Sequence, residues 1–130
     1  MSFAASPVHA SEASSTKQIQ CIAHAIYGEA RGESRQGQIL VGLVIRARVT
    51  DSSGNWPDTY CGVVWQKNQF DGVHHPYHSD PRIEQIAREV AAGQHSFPKG
   101  WHCVRYFATS NQSFMKEVGR VGGHVFGCRT

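Results

Sequence analysis

The sequence predicts an α+β domain, predominantly helical, with a small antiparallel sheet near the C-terminus. Three observations lead there. Apolar residues recur at helical spacing through the first half of the chain and again after Asp80, the period shortens to an alternation from Trp101 onward, and a Gly122-Gly123 pair sits between two short β-like pieces. A length of 130 residues suits one core rather than two. Residues 1–17, small and polar, are expected to form a flexible tail, and residues 18–130 a single domain.

From Lys17 to Arg31 the residues Ile19, Ile22, Ile26 and Ala30 share a helical stripe, and Gly32 ends the run. A second helix follows the polar Glu33-Ser34-Arg35-Gln36 and runs through GQILVGLVIRARV. It is apolar on every side and is expected to be the most buried element. Its β-branched residues would suit a strand, but its length and lack of alternation favour helix. Ser52-Ser53-Gly54-Asn55 is turn chemistry, and Trp56-Pro57-Asp58-Thr59 leads into a helical turn through CGVVW with Asp58 or Thr59 as cap. Gln66 to Ser79 reads as a long surface loop. Asp80 as N-cap, Pro81 at the first helical position, an apolar face of Ile83, Ile86, Ala87, Val90 and Ala91, and Gly93 beyond it mark another helix. WHCVRYFAT and RVGGHVFG then supply the sheet.

Composition narrows the function classes. A net charge of +3 with dispersed Lys and Arg offers no stripe for nucleic acid. No apolar run approaches the roughly 18 residues of a membrane helix, so no membrane insertion is expected, and a monomer is. Val8-His9-Ala10 has the small-x-Ala look of a signal-peptidase site, although no charged or apolar leader precedes it. The expectation is a trimmed export signal and action outside the cytoplasm, in the periplasm, wall or medium, with delivery on a phage particle as a further route. A disordered cytosolic tail is the alternative. Cys21, Cys61, Cys103 and Cys128 form no C-x-x-C pair, which argues against a zinc knuckle and for one or two disulfides. Three pairings are open, and free buried thiols are the bland alternative.

The stretch YGEARGE, residues 27–33, raises the chemical question. At about 100° per residue, Glu29 lies within a few tens of degrees of the apolar stripe of the first helix. An ionised carboxylate against an apolar surface costs several kcal/mol unless it is paired, or else it stays protonated. A carboxylic acid held protonated is what a general acid needs. The competing explanation is a buried ion pair of Glu29 with Arg31 or Arg35, or a solvent-facing helix end for both Glu29 and Glu33.

YGEARGE followed by GQILVGLVIRARV, then WPDTYCGVVWQKNQF, the late strand segment and the terminal GGHVFG resemble, in order and spacing, the bacterial cell wall hydrolase family of SleB type, whose best-known members are spore cortex-lytic enzymes. The resemblance spans roughly Ile22 to Gly127. It implies a lysozyme-like fold related to lytic transglycosylases, the glycan strand of peptidoglycan as substrate, and the first glutamate of the motif, Glu29, as the catalytic acid. It also implies a route needing no second carboxylate: after Glu29 protonates the glycosidic oxygen, the C6 hydroxyl of the muramoyl residue closes onto C1, leaving a 1,6-anhydro sugar.

That route suits the short supply of carboxylates. Hydrolytic glycosidases usually need two, about 5 to 9.5 Å apart. Of ten acidic residues only Glu33 is near Glu29 in sequence. Glu33 is expected to orient Arg31 or cap the second helix, with a lesser role in positioning water or substrate. Sugar rings want aromatic platforms beside amides, so Tyr27, Gln69, Phe70 and Tyr106 are the further substrate-binding candidates, against the alternative that the aromatics are core. His124 is expected at the surface or hydrogen-bonded, outside the catalytic set. His74, His75 and His78 with Asp80 suggest a metal-dependent amidase or peptidase as runner-up; one flexible loop defines no open metal site, and no metal or other cofactor is expected. A third reading is a non-catalytic peptidoglycan-binding module.

Overall fold

The computed structural model describes residues 15–67 and 69–130, so most of the expected tail and its Val8-His9-Ala10 site lie outside the described residues. Helix α1 spans Thr16–Ala30, with the Ser15 hydroxyl accepting from the Gln18 amide at its start. Helix α2 spans Arg35–Thr50 and is capped by Ser34, whose hydroxyl accepts from Gly37 N. The short α3, Tyr60–Val64, uses Thr59 rather than Asp58 as its cap. Helix α4, Pro81–Ala91, starts as its sequence dictates: the Asp80 carboxylate accepts from the amides of Arg82 and Ile83, and Pro81 opens the first turn.

The all-round apolar character of α2 has the predicted consequence. It packs against α1, α3, α4 and β1, with Val41, Val44 and Ile45 fully buried. Residues Ile22 and Ile26 from α1 and Ile83, Ile86 and Val90 from α4 complete the helical side of one contiguous core. Each such side chain contributes about 1.5–3 kcal/mol on leaving water.

The strands β1 (Val104–Ala108), β2 (Met115–Val121) and β3 (His124–Arg129) form an antiparallel sheet in the order β1-β3-β2. The central β3 is buried from His124 to Cys128, and its Phe126 faces Phe107 across the register. The β2–β3 turn is Gly122-Gly123, as the sequence suggested. Gly122 has φ +57, a left-handed conformation that a residue with a Cβ adopts only with strain. The sequence reading starts this hairpin too late, because β2 begins at Met115. Lys116, Glu117 and Arg120 lie exposed along an edge strand, and the register shifts between Glu117 and Gly119, so no clean alternation survives to be read.

The 66–79 segment also departs from a surface loop. Residues Asp71–His74 form a 3-10 turn, and Phe70, Gly72 and Val73 are buried. Both cysteine pairs are bridged: Cys21–Cys61 ties α1 to α3 and Cys103–Cys128 ties β1 to β3. At sequence separations of 40 and 25, chain-entropy arguments assign them about 4 and about 3.5 kcal/mol of unfolded-state destabilisation. Reduction with dithiothreitol under native conditions should therefore lower the urea midpoint by an amount equivalent to several kcal/mol, with Cys21→Ser/Cys61→Ser accounting for the larger share; an unchanged midpoint would refute this role.

Candidate active site

The site is organised where α1 ends. A Cβ built on Gly28 would lie 2.5 Å from the Gly72 carbonyl carbon, and one on Gly72 equally close to that of Gly28. The two backbones are thus in direct contact, which only glycine on both sides allows. This contact brings the Gly72 amide to the next residue of the helix, where it donates to Glu29 Oε1 at 3.2 Å. Glu29 is partly buried, and its second oxygen accepts no hydrogen bond from the protein among the described residues and is not sealed from solvent.

The ion-pair explanation for Glu29 does not hold among the described residues. Arg35 is paired with Glu89 at 2.7 Å, while Arg31 lies over the Tyr27 ring, 5.1 Å from its centroid, and donates to Tyr27 O. Glu33 has a different task from the ones expected of it. Ser34 caps α2, and Glu33 Oε1 accepts from Gly123 N at 2.9 Å, clasping the β2–β3 turn to the α1–α2 junction. Ninety residues separate those partners, so no local pattern could announce the contact.

Tyr27 is half-buried and stands in an aromatic wall with Tyr77 and His78, at centroid distances of 5.4 and 6.0 Å. His24 joins Tyr77 to Trp65, and Trp65 remains 49% exposed beside His74. The loop histidines therefore spread along this wall: His74 lies against Trp65 and His78 against Tyr27. No three His, Cys, Asp or Glu side chains among the described residues converge as metal ligands.

On the sheet side the organising residue is Arg48, which the sequence reading passed over as part of an apolar helix. The residue is 4% exposed, and its guanidinium lies 5.1–5.6 Å from the ring centroids of Phe70, Tyr106 and Trp56. Its Nε donates to Arg105 O at 2.8 Å and Nη1 to Gln69 Oε1 at 3.2 Å. Burial lowers its pKa to about 10, which leaves it cationic at neutral pH. Gln69 and Tyr106 thus both meet Arg48, Gln69 exposed and Tyr106 partly so, with Phe114, 51% exposed, 5.2 Å from the Tyr106 ring. Phe70 is a correction: at 3% exposure, stacked near Phe107 and under Arg48, it offers no face to a sugar. His124 is also corrected, since it is buried against Phe107 and Phe126 with Nδ1 unpartnered. Trp65 and Phe114 carried the one available signal, large aromatics in polar surroundings.

Two outcomes follow from this geometry. Gly72→Ala should destabilise the domain by about 1–3 kcal/mol in urea unfolding, because backbone cannot move aside as a side chain can. The hydroxyl and amide of Ser53, followed by Arg105, hold Asp51 at about 2, well below the usual carboxylate range, and the Asp51–Arg105 pair at 2.9 Å ties the end of α2 to β1. Because the folded-state value is depressed, this stabilisation is complete above about pH 4 and lost as pH falls through about 2. Asp51→Asn should flatten acid unfolding in that window; an unchanged slope would count against it.

Comparison with known proteins adds an independent line. The family model described as Cell Wall Hydrolase matches residues 32–127, a segment containing Glu33 and beginning just after Glu29. A spore cortex-lytic enzyme of Oceanobacillus iheyensis is 41% identical over 122 residues, covering 86% of this chain and 42% of that protein. One from Bacillus cereus is 33% identical over 122 residues, covering 86% and 44%. The chain therefore spans less than half the length of these relatives. The crystal structure of the catalytic domain of the Bacillus cereus SleB protein matches with a TM-score of 0.75, covering 95% of this chain and 98% of that one; at 24% identity it speaks to fold alone. The catalytic domain of the germination-specific lytic transglycosylase SleB from Bacillus anthracis matches with a TM-score of 0.72 at 27% identity, covering 87% and 95%. On the family match and the curated relatives together, this chain belongs to the cell wall hydrolase family.

Proposed function

We propose that this chain cleaves the glycan strand of peptidoglycan outside the cytoplasm, acting as a monomeric lytic transglycosylase with Glu29 as acid and then base. The observation that carries the reading is Glu29 itself: one carboxyl oxygen oriented by the Gly72 amide, the other open, no counter-ion among the described residues, and an apolar helix stripe behind. The likeness to a solved lytic transglycosylase domain at 27% identity supports it. In the first step Glu29 gives its proton to the glycosidic oxygen as the C1–O bond breaks, releasing a 4-hydroxyl and leaving positive charge at C1. In the second, the C6 hydroxyl attacks C1 and the Glu29 carboxylate takes its proton, which restores the acid. The other carboxylate near in sequence, Glu33, is engaged by Gly123 N, which favours this one-acid route over hydrolysis. Tyr27, Gln69 and Tyr106, with the exposed Trp65 and Phe114, would hold the sugar faces and rims.

Mass spectrometry of muropeptides released from purified sacculi tests the reading. The wild type should release 1,6-anhydro ends, and Glu29→Gln should lower the rate by a hundredfold or more while keeping the fold. Reducing ends would transfer the activity to hydrolysis, released peptides would point to an amidase, and full activity in Glu29→Gln would overturn the assignment.

A further inference from the structure

A groove of about 1070 Å³ opens at the junction of α1, α2 and α4, and its charged lining is Arg31, Glu33, Arg35, Asp80 and Arg82. The carboxylates are already engaged by the fold: Glu33 holds Gly123 N, and Asp80 holds the amides of Arg82 and Ile83. Arg35 is paired with Glu89. The guanidiniums of Arg31 and Arg82 make no ion pair among the described residues, and both are exposed. The backbone under Arg31 is held in place, since the buried Gln38 donates its amide to the carbonyls of Ala30 and Arg31. Helices α2 and α4 both begin at this groove, at Arg35 and Pro81; the α2 end, capped by the neutral Ser34 hydroxyl, adds positive potential, while the Asp80 carboxylate offsets that of α4. The groove therefore offers two separated guanidiniums, without an ion pair among the described residues, to an anion.

We propose that this groove is a subsite for the carboxylate-bearing peptide branch of peptidoglycan, a proposal that rests on the glycan-cleaving reading above. The muramoyl sugar whose bond Glu29 would break carries that branch on its lactyl group, and the branch carries carboxylates ionised at neutral pH. Glu33, on the groove wall, is four residues beyond Glu29 in the chain, and the proposal places a branch leaving the bound sugar within reach of Arg31 and Arg82. Tethering supplies a local concentration on the order of millimolar. Exposed guanidinium contacts, individually weak, then suffice to select the substrate. Free phosphate or a separate anionic polymer matches the charge but lacks the tether.

The test has a binding arm and a cleavage arm. In the first, ¹⁵N-labelled Glu29→Gln protein is titrated with the soluble peptide L-Ala-γ-D-Glu-meso-diaminopimelate-D-Ala, and the arginine Nε–H resonances are followed. Arg31 and Arg82 should shift, the shifts should weaken with added salt, and Arg31→Gln/Arg82→Gln should abolish them. Absence of binding at millimolar peptide, or equal binding of inorganic phosphate, overturns the proposal. In the second arm, initial rates are compared on intact sacculi and on strands stripped of peptide by an amidase. The double variant should raise KM about tenfold on the peptide-bearing substrate, with a smaller change on stripped strands, and Arg82→Gln alone, which leaves Arg31 on Tyr27, should show the same direction. Equal loss on both substrates, or none, overturns it. Peptide binding by a wild type that cleaves neither substrate would leave the subsite standing and refute the glycan-cleaving reading instead.

Discussion

The backbone contact between Gly28 and Gly72 is the constraint on which the rest of the site depends. It lets a loop touch the last turn of α1 with no side chain between them, and so brings an amide within reach of the neighbouring carboxyl group. A carboxylate on an apolar helix face would otherwise be costly and poorly oriented. Here one donated hydrogen bond sets its direction, and the other oxygen accepts none from the protein among the described residues.

The same helix end carries a second fastening. Glu33 reaches the β2–β3 turn through Gly123, so the carboxyl groups of YGEARGE divide the labour: one is held by the loop with an oxygen to spare, the other holds the sheet. Across the domain Arg48 plays the corresponding part for the loop and β1. Charge buried at this depth is tolerated because two acceptors and three aromatic faces replace its water. Loop, sheet and helix bundle are thereby locked together by polar contacts around an apolar core, and both disulfides lie outside that set of contacts.

Helices were legible because each carries its own punctuation. Asp80-Pro81 at the start of α4 and the unbroken apolar run of α2 specify local structure and burial at once. The place of Glu29 beside the apolar stripe was legible for the related reason that its angular position follows from the isoleucines and helical geometry. The edge strand β2 was hidden by charged residues and a register shift, and the buried turn around Gly72 by a composition rich in Asn, Gln, Gly and His. Phe70 illustrates the limit: its position next to Gln69 fits the family pattern, but successive residues of an extended segment face opposite ways, and it is Gln69 that is exposed.

What the sequence by itself determined is whatever depends on short-range periodicity and residue chemistry: the α+β class, the bounds of the helices, the glycine turn of the hairpin, and the candidacy of one glutamate. Only the tertiary structure decided which cysteines pair, that Glu33 clasps Gly123, that Arg48 is buried in a cage of rings, and that two arginines without an ion pair among the described residues share a groove with the end of α1. Those contacts join residues far apart in the chain. Their energies depend on distances that folding alone creates, so no local pattern could encode them.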